Sequence, residues 1–200
     1  MRGFKSIFSI VLAVLFLSSI QSLADTFVVT NLNDPRASSL RQAITNSNLN
    51  PGPDEIVFEE GFEGTIFLNV GNLAIQDDLK IHGPGGGQIT IDADANAKSN
   101  ILDINDGDDE INRIVNINGL RFINGIADTG SEIDNFENLT VNSCQFLNGN
   151  ALTSGGAIFN ERIILSINNS EFRNNQADSG GREVDERMRF GKVSGKCLKV

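Results

Sequence analysis

The sequence predicts an all-β chain, a right-handed parallel β-helix (solenoid) with a short amino-terminal capping helix. Three observations carry that expectation. Side chains recur in three copies 24 and 26 residues apart, the copies are short strands punctuated by Asn, Gly and Ser, and one helical stretch precedes them all. A period of that length is the mark of a stacked repeat.

The repeat is anchored on Phe122, Phe146 and Phe172. Five positions earlier stand Ile117, Val141 and Ile167, and four earlier Asn118, Asn142 and Asn168. Two later stand Asn124, Asn148 and Asn174, and five later Ala127, Ala151 and Ala177. Ile133-x-Asn135 and Ile158-x-Asn160 form one more matched pair. Ile114–Ile117, Leu139–Val141 and Leu165–Ile167 alternate apolar and polar with period two, as half-buried strands do. Residues suited to tight bends follow each one. No helical spacing runs through the copies, which disfavours helical and leucine-rich repeats. One coil per copy would stack Ile, Val, Leu and Phe into continuous internal columns and line Asn up into ladders.

The segments before and after the repeat follow in chain order. Met1–Ala24 has the positive start, apolar run and small-residue Ser22-Leu23-Ala24 end of a secretory signal, so the mature chain is expected to begin at Asp25. Residues 25–60 form an amino-terminal cap whose helix, Ser38–Asn48, places Leu40, Ala43, Ile44 and Ser47 on one face. Ser38 or Ser39 is its N-cap, and Gln42 is placed for a capping box. Such a helix has a task beside a first strand: covering an open sheet edge. Residues 61–181 are the coils, with Gly61, Gly71, Gly83–Gly87 and Asp106-Gly107 separating the weaker ones. Residues 182–200 read as a non-repeat tail. The motif of the preceding coil stops midway, and net charge changes from −15 over Asp25–Gly181 to +3 over Arg182–Val200. Truncation or a frameshift is the expected cause, and a native carboxyl cap the alternative.

These residues carry a resemblance. Thr26–Thr30, Ser38-Ser39-Leu40-Arg41-Gln42-Ala43-Ile44 and Asn48–Phe58 resemble the amino-terminal Cys-Ser-Leu-Arg-Glu-Ala domain of secreted bacterial β-helix proteins, with Ser38 in place of the Cys and Gln42 in place of the Glu. Gly155-Gly156-Ala157-Ile158 and Phe172-Arg173-Asn174-Asn175 are similar to the polymorphic outer membrane protein repeat. The Phe122 and Phe146 copies have Asn two residues on instead. The resemblance implies a pectin-lyase-like β-helix at the cell surface or secreted, and it does not assign chemistry.

Composition narrows the function. With 16 Lys+Arg against 26 Asp+Glu the chain lacks the basic face that nucleic acid needs. It has no Trp and no Tyr, the usual faces of sugar clefts, and its 13 Phe include those tied to the repeat. Two Cys, Cys144 and Cys197, make no disulfide scaffold and stand in dissimilar surroundings, so no pairing is expected. His82 is the only His and reads as a surface strand residue. Asp77-Asp78 is a carboxylate pair of the type glycoside hydrolysis uses, and reads as a solvated turn. Arg113, Arg121 and Arg162 lie near repeat strands without a recurring Asp cluster, so surface roles are expected. Asn138-x-Thr140 and Asn168-x-Ser170 fit glycosylation sequons but read as structural Asn. The acidic loop Asp103–Glu110 is the calcium candidate, one residue short of the usual Asp-x-Asn-x-Asp-Gly loop, and reads first as a solvated loop.

No catalytic, cofactor-binding or metal residue is therefore assigned, and no cofactor is expected. The leading expectation is a non-enzymatic, adhesin-like binding module whose partner is a host or surface macromolecule or a glycan. The alternative is a polysaccharide lyase or glycoside hydrolase of the same fold. An ice-binding or spacer role would need flat Thr-x-Thr arrays, which the sequence lacks. Membrane association is expected only through a longer parent, and self-association through an open carboxyl edge, with low solubility.

Overall fold

The computed structural model describes residues 24–93, 99–161 and 164–178, together with the backbone of Val184–Glu186 and Cys197–Lys199. The signal expected at Met1–Ala24 thus falls almost entirely outside the described residues, as does Arg162.

The chain begins with β1 (Thr26–Val29) and α1 (Leu40–Leu49) and then winds. The first coil is β2 (Asp54–Phe58), β3 (Gly64–Phe67) and β4 (Leu73–Ile75), and the second β5 (Leu79–His82), β6 (Ile89–Asp92) and β7 (Leu102–Ile104). The third is β8 (Ile114–Asn118), β9 (Arg121–Ile123), β10 (Ile126–Thr129) and β11 (Ile133–Asn135). The fourth repeats that plan with β12 (Asn138–Asn142), β13 (Gln145–Leu147), β14 (Asn150–Ser154) and β15 (Ile158–Asn160). The fifth has β16 (Leu165–Asn168), β17 (Ser170–Arg173), β18 (Gln176–Ala177) and β19 (Val184–Glu186), and β20 (Cys197–Lys199) follows.

Like strands of successive coils pair in parallel, giving four sheets. They run β1-β2-β5-β8-β12-β16, β3-β6-β9-β13-β17-β20, β4-β7-β11-β15-β19 and the short β10-β14-β18. This is an all-β parallel β-helix with one short helix at its amino end, as the repeat predicts. The fourth sheet pairs Ala127 with Ala151 and Ala151 with Ala177, the recurring Ala of the repeat. Within the tail 182–200, β19 pairs with β15 and β20 with β17, so these strands extend two of the sheets.

The register explains the period. Phe122 pairs with Phe146 and Phe146 with Phe172. Their rings stack with centroids 5.1 and 4.8 Å apart and planes within 11° and 10° of parallel. That separation is the strand spacing itself, so a residue repeated once per coil necessarily meets its own copy. The column continues through Ile91 and Ile66. A second column runs Ile56, Ile81, Ile117, Val141, Ile167, and a third Leu73, Leu102, Ile133, Ile158. All are buried, and burying each such side chain contributes about 1.5–3 kcal/mol.

The recurring Asn has a backbone reason as well as a ladder. Asn124, Asn148 and Asn174 have φ of +63°, +63° and +56°, and each ends the strand that carries the stacked Phe. The left-handed region costs most side chains about 1–2 kcal/mol, and Asn and Gly least. Gly119, Ser143 and Asn169 make the matching bend before that strand, with φ of +68°, +52° and +48°. Cross-coil ladders join Asn168 Nδ2 to Asn142 Oδ1 at 3.0 Å and Asn174 Nδ2 to Asn148 Oδ1 at 3.3 Å. Inside the column, Asn135 Nδ2 donates to Asn160 Oδ1 and to the Glu137 carbonyl, both Asn being fully buried.

The helix begins at Leu40, directly after one of its two expected caps. Ser39 is the N-cap and accepts from the Gln42 N–H. The return half of the capping box is not made, because the Ser39 N–H is taken by the Arg36 carbonyl and the Gln42 amide donates to Asn46.

Candidate functional surfaces

The amino-terminal cap works through two side chains. Arg41 donates to both carboxylate oxygens of buried Asp34, at 2.6 and 3.0 Å, and to the carbonyls of Asn72 and Gly71. Asn48 donates to the Ala74 carbonyl and accepts from the Gln76 N–H. These backbone groups belong to and flank β4, the amino-terminal edge of its sheet, so α1 pairs that edge as a neighbouring strand would. The Arg of the Ser-Ser-Leu-Arg-Gln-Ala-Ile stretch is thus structural. Between α1 and β4 lies an open cleft of about 290 Å³, with Ile44, Asn48, Leu49 and Leu73 among its lining.

A charged corner joins the third and first sheets. Arg113 Nε bonds Asp106 at 2.6 Å and its Nη1 bonds Asp77 at 2.8 Å. The Arg113 N–H donates to Glu137, and the Ile114 N–H to Asp78 at 2.7 Å. The Asp77-Asp78 pair therefore holds the next coil instead of flanking a cleft. The Asp103–Glu110 loop is self-occupied too: Asp106 accepts from the Asp108 N–H and Asp108 from the Glu110 N–H. Among the described residues no group of three or more His, Cys, Asp or Glu is arranged to hold a metal ion.

The outward face of the second sheet carries a polar ladder. Arg121 Nε donates to Gln145 at 2.7 Å, Gln145 to Glu171 at 3.1 Å, and Arg173 pairs with Glu171. Gly87, with φ +70°, lies where any Cβ would strike the Arg121 guanidinium. On the first sheet, half-exposed His82 lies 3.6 Å from Glu55, and Lys80 3.8 Å from the same oxygen. His82 is a surface strand residue, as its sequence setting predicts.

On the third sheet Asp103 and Asp134 are register partners, facing outward between Ala74 and Phe159. Partial burial pushes the Asp134 carboxyl up to about 6, against the Thr129 hydroxyl bond that lowers it, with Asp103 and Glu161 adding to the rise. Burial also raises Asp103. Neither residue's role is visible in the one-dimensional pattern, because their sequence neighbours differ.

The Gly-Gly-Ala-Ile and Phe-x-x-Asn motifs meet at one pinch in the coil. Gly155 has φ +66°, and a Cβ on Gly156 would crowd the Gln176 backbone at 2.9 Å. Asn175 is buried, accepts from the Gly149 N–H at 2.8 Å and donates to the Phe146 carbonyl at 3.0 Å. Gly125 and Gly149 take the place of that Asn in the two earlier coils, where the register aligns Ile126 with Asn150 and Asn150 with Gln176. Cys144 is free and buried, and burial pushes its thiol up to about 11.

Among the described residues no helix is long and apolar enough to cross a membrane. No family model, no curated protein and no solved structure matches the chain.

Proposed function

We propose that the protein is a secreted or surface-displayed β-helix module that binds through its outer faces and catalyses nothing. Its partner is a host or surface macromolecule or a glycan. The observation that supports this reading is the laddered exterior. Polar side chains of successive coils, from Arg121 through Gln145 to Glu171, bond to one another and form a continuous face. Extended faces of stacked repeats suit broad, shallow contacts. The resemblance of the Ser38–Ile44 stretch to the Cys-Ser-Leu-Arg-Glu-Ala domain, and of the pinch motifs to polymorphic outer membrane protein repeats, favours export and surface display. No cofactor enters this reading, and nucleic acid is disfavoured by the net charge of −10.

Binding to arrays of neutral and acidic polysaccharides and immobilised extracellular proteins tests the reading. Saturable binding without turnover, weakened by Gln145→Lys, is the expected result. Release of unsaturated or reducing ends from an acidic polysaccharide would instead establish the lyase or hydrolase alternative.

A further inference from the structure

We propose that Glu132 is a neutral acid inside the column, and that its ionisation is a pH-operated latch on the junction between the third and fourth coils. The argument begins with register. Ile133 pairs with Ile158, so Gly130-Ser131-Glu132 occupies the place of Gly155-Gly156-Ala157 in the next coil. Where that coil has Ala, this one has a carboxyl, and its side chain is fully buried. The space exists because Gly149 has no side chain: a Cβ there would lie 2.3 and 2.4 Å from the two carboxyl oxygens and 2.2 Å from Ser131 Oγ.

The proton count then fixes the charge state. Ser131 Oγ lies 2.6 Å from Glu132 Oε2 and also within hydrogen-bonding distance of the Gly156 carbonyl. A hydroxyl has one proton, and a carboxylate and a carbonyl both only accept. An ionised Glu132 would leave one of these two close contacts without hydrogen. A protonated Glu132 donates to Ser131, Ser131 donates to Gly156, and both contacts are satisfied. The other oxygen, Oε1, is buried with no partner, which a neutral carbonyl tolerates far better than a shared negative charge.

Among the described residues no cation offsets the burial. Glu132 is raised well above the ordinary carboxylate range by burial, against the Ser131 hydroxyl and its own N–H, and by no charged neighbour. The titratable groups on packed elements lie elsewhere. Asp134 on its own strand faces outward against Asp103 of β7, Glu161 follows β15, and Asp128 on β10 is exposed. Deprotonation would put an unpaired charge in the pinch that joins Ser131 and Gly156 across the two coils. The latch is closed when protonated and loosens as pH rises through the folded-state value.

Infrared spectroscopy of the full chain tests this without relying on a variant. At neutral pH the wild type should show a protonated-carboxyl C=O band that Asp134→Asn retains and Glu132→Gln lacks. Ser131→Ala should move that band to higher frequency by removing its acceptor. Unfolding midpoints from about pH 5 to about pH 9 should fall more steeply in Asp134→Asn than in the double variant Glu132→Gln/Asp134→Asn, which keeps the raised Asp103 and Glu137. The proposal is overturned by absence of the band at neutral pH, by an unmoved band in Ser131→Ala, or by parallel pH profiles with and without Glu132. If Glu132→Gln fails to fold, the wild-type, Asp134→Asn and Ser131→Ala spectra decide alone.

Discussion

Phe146 sits between two parallel rings and is fully buried, so removing it opens a void in the middle of a column. Phe146→Ala should cost about 3–5 kcal/mol in urea unfolding, and Phe146→Leu clearly less, because Leu refills most of the volume. Asn148 tests the other reason for the repeat. With φ at +63°, Asn148→Gly should be close to neutral, whereas Asn148→Ala should cost about 1–2 kcal/mol. The Phe and Asn positions were legible in the sequence because a stacked column forces each residue to meet its own copy at a fixed interval. Glu132 was not legible. Its meaning depends on Gly149 having no Cβ, and the two belong to different motif positions of different coils.

At the scale of the element, the helix is a substitute strand. Its position, N-cap region and buried face follow from spacing. The donors that perform the capping, Arg41 and Asn48, look in sequence like ordinary polar surface residues. Arg41→Ala would leave buried Asp34 without its cation and free the Asn72 and Gly71 carbonyls at the sheet edge. It should cost about 3–5 kcal/mol and bring concentration-dependent association, read by light scattering. The charged corner was likewise hidden. Arg113 lies 36 residues from Asp77 but only 7 from Asp106, and Glu137 lies 24 further on, so no constant offset links them. Because Asp106 and Asp108 are already bonded within that corner and loop, millimolar calcium should leave the melting temperature of the full chain unchanged. A clear rise would restore the loop as a calcium site.

For the whole molecule, burial raises most of the carboxyls that are shifted. Asp103, Asp134 and Glu132 all have raised folded-state values, each chiefly through burial. A group that binds its proton more tightly when folded stabilises the fold below that value and loses the contribution as pH rises through it. Asp106 works the other way, since the Asp108 N–H and Arg113 together outweigh the effect of burial and hold it low. Stability is therefore expected to decline from about pH 4 upward, the Asp134 contribution being lost by about pH 6, with Asp134→Asn flattening that part of the curve. Thermal unfolding across that range measures it. The overall architecture was legible because it is the sum of one repeated contact. The recurring Ala127, Ala151 and Ala177 marked the line of the fourth sheet, whereas the close approach at the pinch was not legible, because it arises where glycines let two stretches of backbone meet.

The unequal pitch of the winding has its own consequence. From β5 to β8 the chain takes 36 residues where the next turn takes 24, yet Leu79 still meets Val115 and Val115 still meets Leu139. Part of the surplus lies in the exposed stretch 107–112 after β7, and the stacking is undisturbed. A foreign peptide spliced between Asp108 and Asp109 would on the same logic hang from the wall like a sign from a tower, and engineers seeking a display scaffold would find their attachment point already there.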